Sequence, residues 1–244
     1  MGLDLELSVV VIVGLAVLAG SVVQGSAGFG VSLLGVPVLM LLDSTLMPGS
    51  MLIVGTLLPL FTVAREGRHV DWRTAWAAML GRLLGTAGGV WVLAVLSTRA
   101  LSIGLGLFIL VGVALSLRNV VVPMNTATLF GAGAVTGVTG TAVSVSGPVV
   151  GLVMQHMSGI AMRATMAVFF SVGTVFSLGG LAFADALPWR QVVMGLSMLP
   201  FLTTGYLLSG PLRRYLDRGW TRPAVLAVST FAAVGVLVRA LFWT

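Results

Sequence analysis

Long apolar runs separated by short polar gaps make up almost the whole chain. The runs cover 7–24, 31–42, 46–64, 75–96 and 100–117. After a link with Arg118, Asn119 and Pro123 come 126–143, 147–157, 160–184, 189–210 and 224–242. A helix needs about 20 mostly apolar residues to cross a bilayer, so most of these runs predict membrane-spanning helices. Segments 31–42 and 147–157 are too short to cross straight and predict either half-helices or runs that extend into their neighbours. A transmembrane β-barrel would show short alternating segments instead. The predicted fold class is an all-α polytopic membrane protein.

The two sets of five runs are related to each other. Gln24-Gly25-Ser26-Ala27-Gly28-Phe29-Gly30 breaks the first set, and Thr136-Gly137-Val138-Thr139-Gly140-Thr141 breaks the second at a matching place. Gly25 aligns with Gly137, Gly28 with Gly140, Ser32 with Ser144, and Pro37 with Pro148 one residue out of step. Further along, Trp72-Arg73 aligns with Trp189-Arg190 and Gly88 with Gly205. Self-similarity of this kind is a fold-level signal. It predicts a duplicated membrane domain, with residues 1–118 as the first repeat and 119–244 as the second.

The arginines give the repeats a direction. In the first repeat Arg65, Arg68 and Arg73 fill the third gap, whereas in the second Arg213, Arg214, Arg218 and Arg222 fill the fourth. Cytoplasmic loops carry the arginine excess. A shift by one crossing therefore predicts halves of opposite orientation, with both termini outside and Arg118 inside. The start of the chain, which includes Asp4 and Glu6, lacks a basic region, so no cleaved signal peptide is expected.

Composition supports the membrane assignment and narrows the partners. The chain of 244 residues is 58% hydrophobic and 8% charged, and all 13 basic residues are Arg. A soluble domain carries about 25% charged residues. The sequence pI near 11.5 does not indicate nucleic acid, because the arginines lie in the gaps between apolar runs. With no Cys there are no disulfides or thiolate metal sites. The two His lack carboxylate neighbours at ligand spacing, and no Walker lysine exists. No enzyme, metal or cofactor is expected.

The glycine breaks are the candidate site. Glycine allows the chain to turn inside the membrane, and a helix starting at Gly30 or Val31 would aim free N–H groups into the break. Such a terminus attracts anions. Gln24, Gly25, Ser26, Gly28, Phe29, Gly30 and Ser32 form the first half-site; Thr136, Gly137, Thr139, Gly140, Thr141 and Ser144 form the second. In an inverted pair the two meet near the midplane, as in many secondary transporters. The competing explanation is close helix packing through small residues. Arg82 lies well inside an apolar run, nine residues past Arg73 and so about 13 Å along a helix. An ionisable residue at that depth is a functional candidate; it either draws an anion inward, or it snorkels or pairs with a carboxylate. Asp43 and His156 read as interfacial ends of the short segments, and Arg163 as a residue facing the cytoplasm.

Gly25 to Gly30 followed by Leu33-Leu34-Gly35-Val36-Pro37-Val38-Leu39 resembles the signature of the TauE/SafE family of sulfite and organosulfur-anion permeases. The second half departs from the pattern by placing Ala142 where the third glycine stands. The resemblance implies a multi-pass protein of the bacterial plasma membrane that moves sulfite, sulfonates or similar small anions. Its expected partners are that anion, the lipid bilayer and, for assembly, a second copy in a homodimer. The primary expectation is a secondary carrier working by alternating access. An anion channel, a carrier of another solute such as a carboxylate, and a non-transporting membrane scaffold are the alternatives.

Overall fold

The computed structural model describes residues 6–118, 122–216 and 221–242, apart from the side chains of residues 26, 27, 116, 211–229 and 232. Eleven α-helices run through them: α1 (Leu7–Ala27), α2 (Val31–Leu42), α3 (Gly49–Glu66), α4 (Trp72–Val95), α5 (Thr98–Leu117), α6 (Thr126–Val143), α7 (Gly147–Val153), α8 (Gly159–Phe183), α9 (Trp189–Ser197), α10 (Leu199–Leu216) and α11 (Thr221–Phe242). No strand occurs among the described residues. Six spans there, counting the broken Trp189–Gly210 stretch as one, are long and apolar enough to cross a membrane. The protein is an all-α polytopic membrane protein.

Polar gaps set where helices begin. The Asp71 side chain accepts from the N–H groups of Arg73 and Thr74 at the head of α4. Bonding from the Thr74 hydroxyl, then from its N–H, holds the Asp71 carboxyl below its ordinary range. Ser97 caps α5, and Asn125 with Thr128 forms a reciprocal capping box on α6. Each such cap contributes about 1 kcal/mol.

Two segments differ from the sequence expectation. The run 189–210 is not one helix: α9 ends at Ser197, and Pro200 cannot donate the next ladder bond. The run 147–157 yields helix only to Val153. Its Pro148 stands in the first turn of α7, where a missing N–H leaves nothing unpaired, while Pro37 stands inside α2. The two prolines therefore act differently.

Helix pairs cross between the halves of the chain. Helices α3 and α8 are antiparallel: Glu66 meets Arg163 at one end, and Thr56 bonds to Thr174 near the middle at 2.8 Å. Helices α5 and α11 are also antiparallel, since Arg99 donates to the Leu241 carbonyl and Gly106 packs on Leu237. Helices α4 and α6 run parallel in backbone contact. A Cβ at Gly81 would overlap the Phe130 carbonyl, one at Gly85 the Ala134 carbonyl, and one at Gly89 would sit 2.8 Å from the Val138 carbonyl. Helices α1 and α10 are parallel too, with Gly14 on Phe201, Gly205 on the Leu18 carbonyl and Gly25 on Ser209. Small residues at such surfaces give membrane helices the close approach they need.

On the far side of α2, Gln191 ties α9 to the loop before α3. It accepts from Gly49 N–H at 2.8 Å and donates to the carbonyls of Thr45 and Met47. Asp43 is an end cap, accepting from the Thr45 N–H, with Arg190 4.0 Å away. His156 is exposed.

The α4–α6 contact predicts a sharp contrast between glycines. Gly85→Leu should lower the unfolding midpoint in detergent, at a cost of about 1–3 kcal/mol or more. Gly104→Leu, with nothing within 4 Å of a Cβ there, should leave it unchanged.

Candidate functional site

The first break is a tight reversal. Gly28 ends α1 in the left-handed region at φ 89°, and Gly30 precedes α2 at φ 148°. The two conformations suit glycine alone. The Gly28 N–H closes on the Gln24 carbonyl at 2.8 Å. The amide expected to open into the break is occupied: Val31 N–H donates to the Gln24 side-chain oxygen at 3.1 Å. Ser32 is half-buried. The Ser26 side chain lies outside the described ones.

The second break is built differently. Ser144 ends α6 in the left-handed region at φ 57° and donates its hydroxyl to the Pro48 carbonyl at 2.9 Å. Ser146 donates to the Thr136 carbonyl at 3.3 Å. The threonine hydroxyls expected as donors are already in use. Thr136 bonds to Ala132 and Gly133 and Thr139 to Val135, within their own helix. Thr141 shares a hydrogen bond with Ser177 of α8 at 2.8 Å. In an apolar surrounding, a carbonyl one turn back is the nearest partner a threonine has.

The two breaks meet through Phe29. Its ring lies on α7, where a Cβ at Gly147 would be 2.8 Å from Cδ2 and one at Gly151 2.9 Å from Cε1. It packs against both apolar clusters of the core.

Arg82 brings charge to the second break. It is 1% exposed, and its guanidinium stacks over the Phe169 ring at 5.0 Å. On one side lies Gly173, where a Cβ would overlap Nε. On another lies Gly140, where a Cβ would sit 3.2 Å from Nη2 and overlap the Ser146 hydroxyl. Nε, Nη1 and Nη2 have no acceptor among the described residues. A guanidinium carries five donors, so leaving it without an acceptor in an apolar interior costs several kcal/mol. A cation–π contact returns about 2 kcal/mol. The imbalance fits a place where an anion is received.

Among the described residues Glu66 is the only buried carboxylate, and it serves another arginine. Arg163 of α8 donates Nε to Glu66 Oε2 at 3.0 Å and Nη2 to Oε1 at 3.3 Å. The pair sits against the first break, since a Cβ at Gly28 would lie 3.2 Å from Arg163 Cγ. Arg163, expected to face the cytoplasm, is part-buried in this forked ion pair at the end of α3 that carries Arg65 and Arg68.

Arg82, Gly140 and Thr136 through its carbonyl therefore come together, Thr141 bonds instead to Ser177, and Gly137 packs on the Arg82 and Gly85 backbone. Gln24, Gly25, Gly28 and Gly30 shape the first reversal. Sequence reasoning missed Phe169, Gly173 and Ser177, which share one face of α8 at a spacing of four. It also missed Ser146 as a neighbour of Gly140. Replacing Arg82 by Met should raise the unfolding midpoint, worth on the order of 1–4 kcal/mol, because a buried charge gives way to an apolar chain of similar reach.

No curated protein and no solved structure matches the chain. A family model described as Sulfite exporter TauE/SafE matches residues 12–236, from within α1 into α11. The family is one of membrane transporters for sulfur anions, and it is not a family of enzymes. With nearly all of its length inside that match, the chain belongs to the TauE/SafE sulfite exporter family.

Proposed function

We propose that the chain is a secondary carrier of a small sulfur oxyanion such as sulfite or a sulfonate, and that Arg82 at the second glycine break is its principal binding residue. The observation that carries this reading is the buried guanidinium without an acceptor among the described residues. A site made of one fixed cation, walled by Phe169, Gly140 and Gly173, offers charge-assisted hydrogen bonds to an oxyanion. Among the described residues it offers a cation no balancing carboxylate. The same geometry suits a carboxylate anion, which the substrate comparison below separates.

The carrier reading needs a framework that can present one site to two sides. Two inverted repeats, 1–118 and 119–244, supply it. The pairing of helices supports this organisation. α3 and α8 hold corresponding places in the two halves and run antiparallel, as do α5 and α11. α4 with α6 and α10 with α1 are matching pairs under exchange of the halves, and both are parallel. Arg213, Arg214, Arg218 and Arg222, on which part of the charge argument for inversion rests, lie outside the described side chains. The bacterial inner membrane is carried by the family resemblance alone, which implies no direction of transport.

Purified protein in liposomes tests the assignment. Wild type should show saturable sulfite or sulfonate flux accelerated by unlabelled substrate on the opposite side. Arg82→Gln should lower kcat/KM about ten- to a hundredfold, the worth of one or two charge-assisted hydrogen bonds. Flux without trans-acceleration would identify a channel, and preference for simple carboxylates would replace the substrate. Full activity in Arg82→Gln would remove the site.

A further inference from the structure

Each glycine break is flanked by an arginine from the opposite half of the chain, one buried and one part-buried. Arg82 of α4 stands at Gly140 and Ser146; Arg163 of α8 stands at Gly28. The first has no acceptor among the described residues, while the second is engaged by Glu66 through two hydrogen bonds. Side-chain exposure at that pair is 15% for Arg163 and 8% for Glu66.

A carboxylate gripped by the fork of a guanidinium has the charge and two-oxygen geometry that a small oxyanion presents. Glu66 is the last residue of α3, so the chain itself holds a tethered anion on Arg163. We infer that Arg163 is a second anion station at the first glycine break, covered by the Glu66 carboxylate until a substrate oxyanion replaces it. The inference rests on the transport reading given above.

The surroundings favour arrival of an anion there. Arg65, Arg68 and Arg73 are exposed on the same stretch of chain that ends α3 and begins α4. Exposed charge of one sign raises the local concentration of the opposite ion. The Arg163 guanidinium is not locked by a helix backbone. Its Nη1 lies near Gly159, where a Cβ would be 3.4 Å away, and its stem rests on Gly28. The two glycines leave the side chain room that bulkier residues would deny. At Arg82, by contrast, Gly173 and Phe169 enclose the guanidinium on α8. The two arginines thus differ in what they do: one waits within the bundle, the other exchanges an internal anion for an external one nearer the arginine-rich end.

The test uses four full-length proteins with Arg82 intact: wild type, Glu66→Gln, Arg163→Gln and the double variant. Half-saturating sulfite is measured for each on solid-supported membranes, together with the unfolding midpoint. Glu66→Gln should lower the half-saturating concentration about tenfold, because the competing carboxylate is gone. Arg163→Gln should raise it, since the station is lost. The double variant should fall between them. Opposite signs for the two single variants are the signature. An ion pair that only ties α3 to α8 would lower the unfolding midpoint in both and shift half-saturation in the same direction, or not at all, and either result overturns the inference. Absence of any sulfite signal in wild type would instead overturn the transport reading.

Discussion

Holding the Arg82 guanidinium inside apolar packing, with no acceptor for its nitrogens among the described residues, imposes a cost that the fold has to carry in advance. Everything near it is arranged to make that position tolerable without satisfying it. Phe169 lends the face of a ring, Gly173 and Gly140 clear room, and Ser146 turns its hydroxyl to the Thr136 carbonyl and leaves the cation to others. A fold selected only for stability would put methionine or leucine there. The cost makes sense if binding an anion recovers it.

The paired breaks show how similar sequence can be used for different ends. Both reverse the chain beside an arginine donated by the other half. In the first, Gln24 takes up the leading amide of α2 and Glu66 neutralises Arg163. In the second, the cation has no acceptor among the described residues. Similar glycine-containing sequence turns the chain at both places, and a few side chains decide where net charge remains.

Much of this was legible in the sequence, and the misses have physical causes. Helix positions followed from run length, and α2 begins and ends at the expected residues 31 and 42. The break between α9 and α10 hides inside an apolar run because a proline there changes hydrogen bonding and leaves hydropathy untouched. Arg82 stood out because charge is rare at such depth. Its neighbours on α8 did not, since Gly173 and Phe169 are ordinary residues of a membrane helix and matter only through where α8 lies. The threonines of the second break looked like donors to a ligand. Their hydroxyls instead bond within the protein, a choice that composition cannot reveal. Arg163 and Glu66 stand almost a hundred residues apart, and nothing local marks them as partners.

The glycine contact between α4 and α6 has one more consequence. Backbone meets backbone along several turns, leaving no side-chain layer that could shear. The helix that bears the cation is therefore welded to the helix that ends in the second reversal, although they come from different halves of the gene product. The link between α5 and α6 marks no break in the packing of α4 on α6. Whatever part of this molecule swings, guanidinium and turn travel as one piece.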